Sequence, residues 1–329
     1  MERFFEKIWY TKYSPFLIIL LPISLIFFLI TKARYAVYKN NILKRYKSNI
    51  PIIIVGNLSV GGSGKTPFVI WLTKYLLKKD LRVGVVSSGY KSSSLKPLLV
   101  DKYSDPKTAG DEAVLIANQT NCNVASGGDR ISATKLLSKR SLCDVIIHDD
   151  GLQHYKLERD YEITLIDNHK LFGNGFLLPA GPLRESKSRL QNTDIAAYSN
   201  SDDTNVYAIA SVNQFVKNIM TDSIKNIEEF NSMKIHLVTG IASIDAIINT
   251  LKENKIEYML HKYDDHYHYN GNELKFDDSY PVFITHKDYV KLTKINNKNI
   301  WIIEHIVKPN TLLIDKLNND LSILLNYEN

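Results

Sequence analysis

Cysteine is scarce in this chain of 329 residues: there are two, and they do not form a CxxC pair. Disulfide scaffolds and cysteine zinc sites need several cysteines at close spacing, so Cys122 and Cys143 argue against both and fit a reducing compartment. The hydrophobic share of 44% and the charged share of 23% are ordinary for a globular protein, which argues against wholesale disorder. The length leaves room for two domains and a sizeable core.

Positive and negative charges nearly cancel over most of the chain. The whole sequence has a net charge of +6, but residues 1–50 alone contain nine Lys and Arg against two Glu, a net of +7. The remaining residues therefore sum to −1, which argues against a nucleic-acid-binding body. The local basicity indicates an anionic surface near the N-terminus.

Long apolar runs are rare too, and the clearest one, residues 16–30, lies inside the basic segment. As a helix it would span about 22 Å, short of the roughly 30 Å hydrocarbon core, and Pro22 should kink it. A cleaved signal peptide would need a small-residue cleavage site, which residues 31–35 offer poorly, and a buried core helix would leave the cations unexplained. We therefore predict that residues 1–34 associate with a membrane, whether or not they cross it.

The best-defined motif is V-G-N-L-S-V-G-G-S-G-K-T-P at residues 55–67, between a strand-like apolar run and a helical pattern. Glycines let backbone N–H groups surround phosphate oxygens at a helix N-terminus, while lysine reaches the β- and γ-phosphates and threonine ligates Mg²⁺. Ser59 stands where the usual motif has its first glycine, and the alternative is a glycine-rich turn that binds nothing. Because such a site consumes cytosolic nucleotide, we place the body on the cytoplasmic side. The predicted phosphate-binding residues are Gly61, Gly62, Ser63, Gly64, Lys65 and Thr66.

Two carboxylates, Asp149 and Asp150, end the apolar strand predicted at residues 143–149. P-loop proteins place the second acid of the Mg²⁺ site at the carboxyl end of a neighbouring parallel strand. We therefore predict that Thr66, Asp149 and Asp150 hold Mg²⁺; the alternative is an acidic turn at a strand end. Asp111 opens another predicted helix, where the local pattern alone favours a plain N-cap.

Strands and helices alternate along the chain, which predicts an α/β fold: a P-loop NTPase-like parallel sheet with helices on both faces. The polar stretch 91–107 predicts a loop, and seven polar residues at 199–205 are the best candidate for a domain boundary. A strand–loop–helix pattern then restarts at residue 234. We predict a membrane-associating segment (1–34), a P-loop domain (35–203) and a smaller α/β domain (204–329).

Several further short motifs follow one another along the chain: G-D-E (110–112), D-D-G-L-Q-H (149–154), R-D-Y-E-I (159–163), G-P-L-R-E (181–185), D-H-Y (265–267) and T-H-K-D-Y-V-K-L (285–292). With the P-loop stretch, this ordered set resembles the lipid A 4′-kinase (tetraacyldisaccharide 4′-kinase) family over nearly the whole length. The glycine-rich stretch alone is shared with many NTPases, and the ordered set is much more specific. Two positions depart from the family pattern: Ser88 replaces the usual arginine of S-R-G-Y, and His286 replaces the usual glutamate of T-E-K-D.

The resemblance implies two α/β domains joined by a narrow linker, an active site in the cleft between them, and an N-terminal helix on the cytoplasmic face of the inner membrane. It implies transfer of the ATP γ-phosphate, with Mg²⁺, to the 4′-hydroxyl of a tetraacylated glucosamine disaccharide 1-phosphate, a lipid A precursor. It further implies that Asp111 is the base, oriented by His266 from the second domain, and the predicted catalytic residues are therefore Asp111, His266 and Lys65. Arg184 is the candidate for contacting the 1-phosphate or a γ-phosphate oxygen.

Other interpretations stay open. His266 can be one more polar loop residue, and Arg184 can be an arginine that stabilises its loop. The rival class is a membrane-tethered P-loop ATPase or GTPase switch, although residues 254–257 (N-K-I-E) lack the aspartate of a guanine-reading N-K-x-D motif. A membrane-anchored protein that only binds ATP is a weaker alternative. The sequence gives neither the acyl-chain preference nor the oligomeric state.

Overall fold

The computed structural model describes residues 2–11, 14–90, 92–94, 96–139, 142–241, 244–292 and 297–326. Two helices come first, α1 (Glu2–Trp9) and α2 (Leu17–Lys39). Within these ranges α2 is the one helix long and apolar enough to cross a membrane, judged by length and composition. Its 23 residues span about 35 Å, more than the predicted 22 Å, because the helix passes through Pro22 and continues well beyond the apolar run.

The described residues form one sheet of thirteen strands, in the order β11-β10-β12-β13-β8-β7-β6-β1-β5-β2-β4-β3, with β9 paired to β8. Most neighbours are parallel, as predicted; the antiparallel pairs are β13–β8, β8–β9 and β3–β4. The strands are β1 (Ile52–Asn57), β2 (Val83–Ser87), β3 (Leu98–Val100), β4 (Asn123–Ser126), β5 (Val145–Asp149), β6 (Tyr161–Asp167), β7 (Ile195–Ser199), β8 (Ala208–Asn218), β9 (Ile224–Asn226), β10 (Lys234–Thr239), β11 (Glu257–Lys262), β12 (Val282–Thr285) and β13 (Ile300–Pro309).

Helices cover both faces of the sheet. Alternate residues of β1 point to opposite faces, so Ile53 and Val55 join one buried cluster while Ile52 and Ile54 join another. Helices α3, α5 and α9 supply residues to the first cluster and α6 to the second. The remaining helices are α3 (Lys65–Leu77), α4 (Pro106–Ala109), α5 (Asp111–Thr120), α6 (Arg130–Ser138), α7 (Asp245–Glu253), α8 (His286–Tyr289) and α9 (Thr311–Leu325).

The predicted domain boundary falls between β7 and β8, which pair in parallel where Tyr198 meets Ala208. The sheet therefore continues from the P-loop half into the C-terminal half, and the last helix, α9, packs against the core of the P-loop half. The division at residues 203 and 204 stays a prediction. The predicted loop at 91–107 was wrong in part, because β3 lies within it and α4 begins within it; positions 91 and 95 are outside the described residues.

Candidate active site

The glycine-rich loop joins β1, which is buried throughout, to the start of α3 at Lys65. Gly61 and Gly64 have φ of +109° and +73°, a region that L side chains rarely adopt, so glycine is needed where the loop turns into the helix. The Ser63 hydroxyl is buried and has no hydrogen-bond partner in the described part of the chain. The loop thus presents unpaired polar groups at a helix N-terminus, the arrangement that binds phosphate.

Asp149 lies beside this loop because β5 pairs with β1, with Val55 opposite Asp149. The Thr66 hydroxyl donates a hydrogen bond of 3.0 Å to Asp149 Oδ2, while Asp149 Oδ1 is buried without a partner among the described residues. Burial raises the pKa of Asp149 to about 7, and the nearby charge of Glu112 adds to the effect. The carboxylate is therefore costly to ionise until a cation arrives.

Asp150 is held by cations. Its two carboxylate oxygens accept hydrogen bonds of 3.0 and 3.2 Å from Arg184, and Lys65 Nζ lies 3.8 Å from Oδ1. Burial alone would raise the pKa of Asp150, but Lys65 and Arg184 together bring it to about 2. Arg184 also donates to the Asn57 side chain. Arg184, predicted to contact substrate, is thus joined to the predicted metal-site aspartate.

The structure brings together Asp111 and His266, from opposite halves of the chain. Asp111 begins α5, His266 lies in the loop after β11, and Asp111 Oδ2 is 2.7 Å from His266 Nδ1. Burial would raise the pKa of Asp111, but the hydrogen bond with His266 and the charge of Lys287 leave it below its ordinary value. A buried aspartate is thereby kept ionised and able to accept a proton.

Sequence reasoning missed the charges that surround this pair. Lys287 at the start of α8 lies 3.0 Å from Asp265, whose other oxygen is 3.4 Å from His266 Nε2. Glu112, the residue after Asp111, has a pKa raised by burial and by the Asp111 charge. Glu112 belongs to the G-D-E motif and Lys287 to the motif that begins T-H-K-D. The signal that could have pointed to them is that each is a charged residue in the first turn of a helix.

Of the two departures from the family pattern, Ser88 is linked to His266 through Tyr90, whereas His286 packs beside Glu304. The Ser88 hydroxyl accepts a hydrogen bond of 3.2 Å from the Tyr90 N–H, and the Tyr90 ring meets His266 edge-on with centroids 5.5 Å apart. His286 Nε2 is 3.7 Å from Glu304, and burial lowers the pKa of His286 to about 4. His286 is therefore neutral at pH 7.

The donor set fits Mg²⁺. A buried carboxylate oxygen of Asp149 without a partner and the Thr66 hydroxyl are hard oxygen ligands, the kind that Mg²⁺ selects. No group of three His, Cys, Asp or Glu able to hold a metal was found in the ranges that the structure describes. This agrees with the usual manner of Mg²⁺ binding, in which one or two carboxylates act together with substrate phosphates.

The parallel sheet, the glycine-rich loop with Lys65 and Thr66, and the carboxylates at the end of the adjacent strand define a P-loop phosphotransferase. The family described as tetraacyldisaccharide-1-P 4′-kinase matches residues 16–322. The chain belongs to this family.

Individual relatives agree with this assignment. The tetraacyldisaccharide 4′-kinase of Mannheimia succiniciproducens is 41% identical over 303 residues, covering 90% of this chain and 92% of that protein. The enzyme of the same name from Haemophilus influenzae is 41% identical over 301 residues, 90% of this chain and 89% of its own. Among solved structures, LpxK from Aquifex aeolicus in complex with ATP superposes with a TM-score of 0.76 at 30% identity, covering 90% of this chain and 96% of that one.

Proposed function

We propose that this chain transfers the γ-phosphate of ATP to the 4′-hydroxyl of a tetraacylated glucosamine disaccharide 1-phosphate, at the cytoplasmic face of the inner membrane. Family membership supports the reaction, and the ATP complex of the Aquifex aeolicus protein supports the donor. The observation that carries the proposal is a buried aspartate–histidine pair in the same protein as a phosphate-binding loop, with Glu112 interacting electrostatically with Lys65 of that loop. Glu112, next to Asp111 in the chain, also interacts electrostatically with Asp149. The Asp111–His266 pair and the carboxylate of the predicted Mg²⁺ site are therefore both close enough to Glu112 for their charges to interact with it.

Phosphoryl transfer depends mostly on positioning and charge neutralisation. The loop N–H groups and Lys65 would hold the phosphates, and Lys65 is already drawn toward the site by Asp150. Thr66 and Asp149 would hold Mg²⁺, with Asp150 beside them. When bound, the ion would neutralise charge on the phosphate oxygens.

The acceptor hydroxyl must lose a proton, and we assign Asp111 as the group that receives it. His266 Nδ1–H donates to Asp111 Oδ2 and the Glu112 N–H donates to Asp111 Oδ1 at 2.9 Å, which fixes the direction of the carboxylate; the second lone pair of either oxygen could accept the proton of the hydroxyl. His266 would then stabilise the pair once Asp111 is protonated, or pass the proton on. A single carboxylate–imidazole unit therefore accounts for proton removal without any further base.

Arg184 would serve as an anion contact when substrates arrive. Its guanidinium now binds Asp150 and Asn57, so it lies at the edge of the phosphate site. Exchange of one of these contacts for a phosphate oxygen would keep its charge paired throughout. This supports a contact with the γ-phosphate or with the 1-phosphate of the acceptor.

The membrane part of the proposal depends on α2. Its apolar side chains are largely exposed, for example Ile19 at 68% and Ile26 at 58%, although the helix docks on the body through Ser24. An exposed apolar stripe beside basic residues is typical of a segment that lies in or on an anionic membrane. The active site would thus be kept near a lipid that stays in the bilayer.

The test is transfer of labelled γ-phosphate from ATP to a tetraacyl disaccharide 1-phosphate, using the full chain in detergent micelles. We expect label in the lipid, and no lipid label when the acceptor lacks its 4′-hydroxyl. Little ATP should be consumed without acceptor. Rapid hydrolysis of ATP or GTP that ignores the acceptor would contradict the proposal and favour the switch.

A further inference from the structure

A cavity of about 340 Å³ lies between the C-terminal end of α2 and the starts of β6 and β7. The phosphate loop follows the carboxyl end of β1, and β1 runs parallel to β6, so the cavity is at the opposite edge of the sheet. It is therefore separate from the site described above. Its volume lies within the range of ordinary ligand pockets.

Two opposite faces of helix α2 differ in character beside the cavity. Tyr35, Tyr38 and Lys39 have the i, i+3, i+4 spacing of one helix face, and all three line the cavity. Ile26 lies nine residues before Tyr35, two and a half turns away, and therefore points to the opposite side, where it is 58% exposed. The helix thus turns an apolar face outward and a polar, cationic face toward the cavity.

The polar groups deep in the cavity already have hydrogen-bond or ion-pair partners within the protein. Glu162 pairs with Arg159 at 2.7 Å and with Arg189 at 2.5 Å. Asp160 and Asp194 each accept a backbone N–H at 2.8 Å, from Ile52 and Glu162 respectively. The Tyr155 and Tyr161 hydroxyls donate to Glu185 and Asp320. Because these side chains already have partners within the protein, they do not require a ligand.

The face supplied by α2 is different, because its donors are not used. The hydroxyls of Tyr35 and Tyr38 and the ammonium group of Lys39 make no hydrogen bond or ion pair to any side chain that the structure describes. The Tyr35 ring lies between two cations, with Lys39 Nζ at 5.7 Å and the Arg189 guanidinium at 5.3 Å. Arg45, at the mouth, is shared between Asn41 and Glu158.

The two tyrosine hydroxyls and the Lys39 ammonium group can donate hydrogen bonds to an anion that has several acceptor oxygens. A phosphate group is the chemical class that fits them. We propose that this cavity binds the phosphate headgroup of a membrane phospholipid that is not the acceptor of the reaction, and that this lipid fixes the cationic end of α2 against the body. The apolar face of α2 favours a lipid over a soluble phosphate, because a helix that lies on a bilayer keeps its own C-terminal end, and the cavity beside it, close to the lipid headgroups.

Binding of dioctanoyl phosphatidylglycerol to the full chain in phospholipid-free detergent tests this proposal. Dioctanoylglycerol, which lacks the phosphate, and inorganic phosphate are measured beside it by calorimetry. We expect the phospholipid to bind at least tenfold more tightly than either. Equal binding of dioctanoylglycerol would mean that the acyl chains alone are recognised, and equal binding of inorganic phosphate would mean a soluble anion; each result would overturn the proposal.

Variants then locate the site. The double substitution Tyr38→Phe with Lys39→Gln should weaken phospholipid binding at least tenfold, while Lys44→Gln, which removes an exposed lysine outside the cavity, should change it less than twofold. Thermal melting checks that both proteins are folded. If Lys44→Gln weakened binding as much as the double substitution, diffuse attraction to the basic segment would explain the result and the proposed site would be wrong.

Discussion

Asp111 Oδ2 and His266 Nδ1 are 2.7 Å apart, although 155 residues separate them in the chain. Asp111 follows Gly110, whose φ of +90° lets α5 start abruptly, and His266 has a φ of +68° in a loop of the other half. The hydrogen bond therefore joins the two halves at the point where α5 begins. Any movement of one half against the other would change this distance directly.

Loss of the loop lysine tests the phosphate site. Lys65→Ala should reduce transfer to background, because the γ-phosphate loses its main cationic contact, while the melting temperature stays close to that of the unchanged protein. Lys78→Ala, which removes an exposed lysine just after the same helix, is the matched control and should keep normal transfer. Near-normal activity of a folded Lys65→Ala protein would show that the P-loop assignment is wrong.

Lys287 should act as a positioning residue for Asp111. Its charge lowers the pKa of Asp111, so Lys287→Met should raise that pKa. If Asp111 is the base, as proposed, transfer requires its ionised form, so the acid limb of the kcat/KM profile should move to higher pH while the ATP affinity stays nearly constant. Lys252→Met, at an exposed position of α7, is the control. An unshifted acid limb would argue against this role of Lys287.

Mg²⁺ binding should depend on pH through Asp149. Because burial raises the pKa of Asp149 to about 7, a proton competes with the metal below that pH, and the Mg²⁺ affinity should fall by up to about tenfold per pH unit. Glu112→Gln removes a charge that raises this pKa, so it should move the fall in affinity to lower pH. Titration of Mg²⁺ at several pH values in the presence of ATP measures both. A profile that Glu112→Gln leaves unchanged would contradict the coupling.

Membrane attachment should depend on the exposed face of α2. Replacing Ile19, Ile23 and Ile26 by Gln should release the protein from vesicles and raise the KM for lipid far more than the KM for ATP, because these side chains make no core. Ile224, Met233 and Ile323, exposed elsewhere, are replaced by Gln as a control of equal size. Equal effects on both substrates would indicate that α2 supports the fold instead.

Local signals were sufficient for the elements around the glycine-rich loop, although not for β3 and α4 of the same half. The glycine-rich loop, the apolar run of β1 and the carboxylates at the end of β5 are each contained in a few consecutive residues, and the structure places them side by side. β8 was not predicted, because its eleven residues alternate poorly between buried and exposed. Its antiparallel pairing with β13 joins residues far apart in sequence, and local pattern carries no information about such pairing.

The residues of the site also divide into those that the sequence pattern predicts and those that it does not. The phosphate-binding residues follow from spacing, whereas the pairing of Asp111 with His266 followed only from the family resemblance. Lys287 and Asp265 are 22 residues apart in the chain and form a hydrogen bond only in the folded structure. No local motif links them. Residues whose role depends on the meeting of two halves are the ones that sequence reasoning alone did not find.

The most direct test of the account is a double-mutant cycle on γ-phosphate transfer to the tetraacyl disaccharide 1-phosphate. Asp111→Ala and His266→Ala should each lower kcat by about 10²–10⁴, with ATP binding and melting temperature nearly unchanged. If the two residues act as one acid–base unit, the double variant should be little slower than the slower single variant, because effects within a catalytic unit do not add. Losses that multiply in the double variant would contradict the unit, and single variants with near-normal rates would contradict the site itself.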